Sequence, residues 1–137
     1  MLEINHDPVP WAAHKGYGRR AYNPRFKEKQ FYQWQIRAQY NRMEPIQGPV
    51  RLVCTFHMPI PKGISKTRKN QMLNGILHHI TKPDCSNLIK FCEDTLKEIV
   101  ISDDNQVVEI ETRKIYSERP RTVILVEEIN GSTRRPS

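Results

Sequence analysis

Apolar side chains recur along residues 86–99 with the 3.6-residue period of an α-helix. At about 100° per residue, Leu88, Ile89, Phe91, Cys92, Thr95, Leu96 and Ile99 collect on one side. Ser86, Asn87, Lys90, Glu93, Asp94, Lys97 and Glu98 collect on the other. The split predicts a helix over residues 87–100 that lies on a core and keeps one polar face. Lys90 stands near the middle of that face, with Ser86 a turn before it and Glu93 and Asp94 a turn after.

The rest of the chain reads as shorter elements. A strand is expected at residues 2–5, followed by an arm or loop, "WAAHKGYGRRAYNPR", in which basic and aromatic residues alternate with Gly and Pro. Residues 25–42 turn helical. Phe26, Lys29 or Gln30, Gln33 or Trp34, and Arg37 share one side, and Phe31, Trp34 or Gln35, and Ala38 form a second, apolar track. "VRLVCTFHMPI" predicts a buried strand ended by Pro59 and Pro61. Residues 65–74 read as a short basic helix with Ser65 as N-cap and Gly75 as its stop. "SDDN" turns the chain, "QVVEIETRKIY" alternates as a strand, and "PRTVILVEEI" is the last strand. These two strands are expected to pair as a hairpin across "SERP". The order is β-α-β-α-α-β-β. It predicts a small α/β (α+β) domain, with a mixed β-sheet packed against helices, over residues 1–128, and a disordered tail over 129–137.

Charge changes this picture. The 137 residues carry a net +7, split between 14 Lys/Arg against 4 Asp/Glu in residues 1–82 and 8 against 11 in the remainder. A basic surface beside an acidic cluster suits a polyanion held over a metal site, and equally a well-solvated basic protein. No apolar run reaches bilayer length, and the first residues lack a signal peptide's regions, so a soluble, cytoplasmic protein is expected. Three cysteines, Cys54, Cys85 and Cys92, fit reduced thiols.

The candidate chemistry lies in "TKPDCSNLIKFCEDTLKEIVISDDNQVVEI". Asp84 precedes the helix, and Asp103 and Asp104 follow it. One reading has them cap a helix and form a turn, with Lys90 in an ordinary surface pair with Glu93 or Asp94. The other has helix start and turn pack together so that carboxylates converge on a metal. In the arm, Lys15, Arg19, Arg20 and Arg25 suit a phosphate backbone, and Trp11, Tyr17 and Tyr22 suit stacking on exposed bases. The alternative is a loop packed on the core. Lys62, Lys66, Arg68 and Lys69 read as a solvated helix face. Zinc is disfavoured: Cys54 and His57 are an odd number apart in a strand and point to opposite faces.

The same stretch resembles the RusA family of Holliday-junction resolvases, small dimeric nucleases often carried by phages. Asp84, Asn87, Leu88, Lys90, Asp94, Asp103, Asp104, Gln106 and Val107 match its motif, and "FHMPIPKGISK" and the basic arm are also similar. The resemblance spans roughly residues 2–128. It implies Asp84, Lys90 and Asp104 as catalytic residues, with Mg²⁺ held by Asp84 and Asp104, and by Asp103 and Glu93 as further candidates. Ser86, Asn87 and Asp94 are implied as supporting groups, and Lys82 joins the DNA-binding set. The implied activity is Mg²⁺-dependent resolution of four-way DNA junctions by paired symmetric nicks in recombination and repair, by a homodimer. One departure matters: Ser86 stands where the family has its second aspartate. The alternative is therefore a branched-DNA-binding protein whose catalysis has weakened.

Overall fold

The computed structural model describes residues 1–129, so the expected tail lies almost wholly outside the described residues. The elements are β1 (Leu2–Ile4), α1 (Phe26–Gln39), β2 (Val50–Pro59), α2 (Lys66–Leu73), α3 (Cys85–Leu96), β3 (Val107–Ser117) and β4 (Arg121–Glu128). They form a small α+β domain with one four-stranded mixed sheet, in the order β1-β4-β2-β3. Among the described residues, no helix is long and apolar enough to cross a membrane.

Strand β2 is the centre. Val50, Leu52, Cys54, Phe56 and Met58 are buried and alternate with less buried positions, as a strand covered on one face requires. It pairs antiparallel with β4, Cys54 opposite Ile124, and parallel with β3, Cys54 opposite Thr112. The expected hairpin of the last two strands is therefore wrong: β2 lies between them. Ser117 pairs with Pro59 and Arg121 with His57, so residues 118–120 cross the end of β2. Alternation along a strand sets which face is buried and leaves the partner open.

The wheel of α3 holds. Leu88, Ile89, Phe91, Cys92, Thr95 and Leu96 are its buried residues. The helix starts earlier and ends earlier than predicted. Lys97 is extended, Glu98 has φ 71°, and the Glu98 amide donates to Ile101 O at 2.7 Å, so the chain turns out of the helix before Val100. At α2 the predicted cap is present: Ser65 accepts from the Arg68 amide.

In α1 the core face differs from both predicted tracks. The buried residues are Tyr32 and Ile36, whereas Phe26 is 57% and Trp34 77% exposed. Tyr32 wins the core position because its hydroxyl is satisfied there. It donates to Asp7 O and accepts from Thr122 Oγ1, both at 3.2 Å. Its ring meets Phe91 edge-on with centroids 5.0 Å apart, which ties α1 to α3.

Tyr32→Phe should lower the unfolding free energy by about 1–3 kcal/mol, because buried Thr122 loses its partner. Leu88→Ala should cost about 3 kcal/mol through loss of burial and the cavity left behind. Urea denaturation measures both, and a neutral Tyr32→Phe would show that water replaces the hydroxyl.

Candidate active site

Two irregular segments carry the acidic residues, and each is tied down by one side chain. The first is residues 81–84, which contain the cis Lys82–Pro83 peptide. Lys114 of β3 donates from Nζ to Thr81 O and Pro83 O, each at 3.0 Å. Asp84 then caps α3, its Oδ1 accepting the Asn87 amide at 2.8 Å. The capping reading of Asp84 is thus correct, and it occupies only one carboxylate oxygen. Asp84, Ser86, Asn87 and Lys90 are all exposed.

The second segment is residues 102–106, a single 3-10 turn entering β3. Gln106 clamps it in four bonds. Its Oε1 accepts the Ser102 and Asp103 amides at 2.8 and 2.9 Å. Its Nε2 donates to Ile46 O and Gly48 O at 2.7 and 2.9 Å. Asp103 faces inward to this turn and accepts the Asn105 amide at 3.0 Å. That bond, then a hydrogen bond with Asp104, holds the Asp103 carboxyl below its usual range. Asp103 is thus committed to the turn, while Asp104 is exposed.

Between these segments lies the polar face of α3. The Lys90 ammonium sits 3.6 Å from the centroid of the Trp11 ring, and the Trp11 amide donates to Asn87 O at 2.9 Å. The N-terminal arm therefore lies across the first turns of α3. Glu93 is half-buried. Burial pushes its carboxyl up, the charge of Asp104 adds to this, and Lys90 opposes it. Lys90, Glu93 and Asp104 thus share one electrostatic neighbourhood. Asp94 does not belong to it: Asp94 pairs with Lys29 of α1 at 3.2 Å and bridges the two helices.

Among the described residues, no three of His, Cys, Asp and Glu converge to hold a metal ion. The expected gathering of Asp84, Asp103, Asp104 and Glu93 around one point is therefore not preformed. Mg²⁺ asks for less than that. It binds through one or two carboxylates and fills its octahedron with water and substrate oxygens. Exposed Asp84 and Asp104, with Glu93 beside the latter, fit such an ion in donor type.

The arm divides into a packed half and a free half. Trp11 packs against the core, so it is unavailable for stacking as placed. Arg25 Nε donates to Pro10 O at 3.2 Å and braces the arm. Beyond Trp11, Lys15 and Tyr22 exchange backbone hydrogen bonds of 2.9 and 2.8 Å, closing a loop whose tip is the 3-10 turn Gly18–Arg20. Gly16 is needed here: it has φ +87°, and a Cβ would come within 2.5 Å of Arg20 O. Lys15, Arg19 and Arg20 are exposed, as are Tyr17 at 93% and Tyr22 at 55%. Lys82 is also exposed. In the second basic cluster, Lys69 pairs with Glu118 at 3.0 Å. Cys54 is buried towards the core and His57 lies on the opposite face, in keeping with the case against zinc.

Sequence reasoning missed Lys114 and the work of Gln106. Lys114 occupies an inward-facing register position, opposite Phe56. A lysine there was the available signal, because a cation on a buried face needs acceptors.

Comparison with known proteins bears on the family of the chain. A protein of Bacillus subtilis (strain 168), described as uncharacterized protein YqaN, is 34% identical over 109 residues, which cover 77% of each chain. The family model described as Endodeoxyribonuclease RusA matches residues 9–127. That match takes in the arm, both anchored turns and the helix between them, and the chain belongs to the RusA endodeoxyribonuclease family.

Proposed function

We propose that this protein is a Mg²⁺-dependent endonuclease that resolves four-way DNA junctions by paired symmetric nicks, acting in the cytoplasm as a homodimer. The observation that carries the reading is the match to the RusA endodeoxyribonuclease family over residues 9–127, which takes in α3 with Asp84 at its cap and Lys90 on its exposed face. Bound Mg²⁺ would supply charge neutralisation at a non-bridging phosphate oxygen and acidify a water. Asp84 and Asp104 are the ligands we assign to it, with Glu93 as a further candidate. Lys90 is held by Trp11 and presents a point charge to the scissile phosphate or the leaving oxygen. The exposed loop around Arg19 and Arg20 tracks phosphates, and Tyr17 and Tyr22 offer faces to unpaired bases.

A two-fold dimer suits a two-fold substrate, with one site for each exchanging strand. The sheet face opposite the helices supports it. Val53 and Thr55 of β2 lie beside Leu125 and Val123 of β4 there, each partly exposed. Ser86 favours one other reading, a junction-binding protein with weakened catalysis.

The deciding experiment incubates a labelled four-way junction with protein and Mg²⁺. Symmetric nicks support the nuclease, and retarded but uncut junction supports the binder. Asp84→Asn should lower nicking at least a hundredfold, about 2.7 kcal/mol of barrier, while binding stays intact or tightens because a negative charge near phosphate is gone. Retained nicking would remove Asp84 from the ligand set.

Glu93 can be separated from a plain surface carboxylate by pH. Its folded carboxyl lies above the ordinary 4.5. Its stabilising contribution is therefore complete below that unfolded value and is lost as pH rises through the folded value. Glu93→Gln should raise the Tm of metal-free protein near about pH 7 and leave it unchanged near about pH 3. A lower Tm at neutral pH would make Glu93 a simple partner of Lys90. If Glu93 shares the metal's water shell in place of a carboxylate at residue 86, Glu93→Gln should lose about tenfold in nicking and Ser86→Asp should restore it non-additively; near-native nicking by Glu93→Gln would sink that role.

Replacing Arg19 and Arg20 together by Ala should weaken binding to all DNA and lower the salt slope by about two. An unchanged slope would place both side chains away from phosphate.

A further inference from the structure

Asp84 is delivered by a loop that joins no strand, and the loop's fixing point is one ammonium group. Lys114 rises from β3 on the helix-bearing face, opposite Phe56 of β2. Its two hydrogen bonds go to Thr81 O and Pro83 O, each at 3.0 Å. The Pro83 carbonyl belongs to the peptide that also carries the Asp84 amide. Displacing that carbonyl displaces the backbone of Asp84. His79 lines the same cavity as Lys114, and its ring packs on Tyr116 with centroids 5.3 Å apart. Burial, and next the charge of Lys114, lowers the His79 pKa. The bond to Thr81 O is exposed, and the bond to Pro83 O is part-buried, where a carbonyl short of water needs a donor.

We propose that Lys114 is a positioning residue for the nuclease reaction: from β3 it seats the 81–83 loop and so orients the Asp84 carboxylate. The proposal rests on the reading of Asp84 as a site carboxylate. An apolar side chain of similar length would fill the same space and donate to neither carbonyl. The loop would then drift, while the sheet and α3, which are held by other contacts, would remain.

The test uses the full chain with Lys114→Met and Lys114→Arg. Three quantities are read: amide exchange across residues 81–87 in metal-free protein, affinity for a four-way junction, and the Mg²⁺ dependence of nicking. Lys114→Met should speed exchange of the Asn87 amide, which Asp84 caps, by about tenfold, with β3 and the rest of α3 protected as before. Junction affinity should stay within about twofold, and the Mg²⁺ needed for half-maximal nicking should rise about tenfold. Lys114→Arg should return most of each, since a guanidinium can donate to two carbonyls at once. A folded Lys114→Met protein with unchanged exchange and Mg²⁺ requirement would overturn the proposal. So would loss of junction affinity with a smaller salt slope and unchanged exchange, which marks a direct phosphate contact. Exchange raised evenly over the whole chain would mark a general stabilising role and also overturn it. Should Lys114→Met not fold, Lys114→Gln keeps one donor, and unaltered exchange there is equally decisive. Nicking by Asp84→Asn would withdraw the role of Asp84 in catalysis but leave the exchange result standing, so the two failures are told apart.

Discussion

The parallel pairing of β2 with β3 is the constraint on which the rest of the structure depends. Parallel neighbours cannot be joined by a tight turn; the chain must leave the end of one strand and return to the start of the next. Residues 60–106 make that return, and they contain α2, α3 and both acidic turns. The head of α3 is consequently fastened near the far end of β3, by Lys114. Its tail is fastened near the entry to β3, where the Ile46 amide donates to Val100 O and Gln106 reaches Ile46 and Gly48. Asp84 thus stands at the cap of α3, and Asp104 in the turn that leads from that helix into β3. Burial of α3's apolar side fixes which way its polar face points.

The bonds that matter for the site are few and local. Gln106 and Lys114 bind backbone groups of loops that have no ladder of their own, and each removes two or more unpaired polar groups from partly buried surroundings. A buried group left without a partner costs about 1–3 kcal/mol. The larger display of charge is elsewhere. Arg51 meets Glu109, Glu111 and Glu127 on the open face of the sheet, and Arg42 meets Glu128. Exposed pairs of this kind contribute about 0–1 kcal/mol each and less in salt. The site is held by side chains bonding to backbone, and the surface ion pairs add little to it.

How much of this was legible in the sequence follows from the range of each interaction. The face of α3, the caps at Ser65 and Asp84, and the division of Cys54 from His57 are local, and periodicity or a known cap chemistry reveals them. The partner of β3 is a non-local choice, and alternation carries no information about it. In α1, counting Phe and Trp as core and overlooking Tyr32 gave the wrong face. What decided the matter was Thr122, ninety residues distant, satisfying the phenol. The motif singles out Asp84, Lys90 and Asp104 as candidates, yet the residues that hold two of their segments in place, Lys114 and Gln106, act on backbone atoms. A side-chain pattern does not display that. Asp94, which the motif's spacing suggests as a supporting group, pairs with Lys29 on the neighbouring helix, a contact that its spacing does not display.

Ser86 stands where the motif resemblance expects a second aspartate, and the geometry limits what can compensate for it. Glu93 is seven residues further on, about 20° around the helix and about 10 Å along it. It cannot occupy the position of a carboxylate at residue 86. Its environment draws it the other way, since Asp104 and partial burial both raise its pKa while Lys90 relieves it. Lys90 lies between the two positions, a turn from each. A carboxylate at residue 86 would have completed the Asp84 end of the face; Glu93 instead adds charge at the Asp104 end. A divalent cation there would relieve the repulsion between Glu93 and Asp104 that burial sharpens. With Ser86 neutral, the negative charge of this polar face lies at Glu93, on the far side of Lys90 from residue 86.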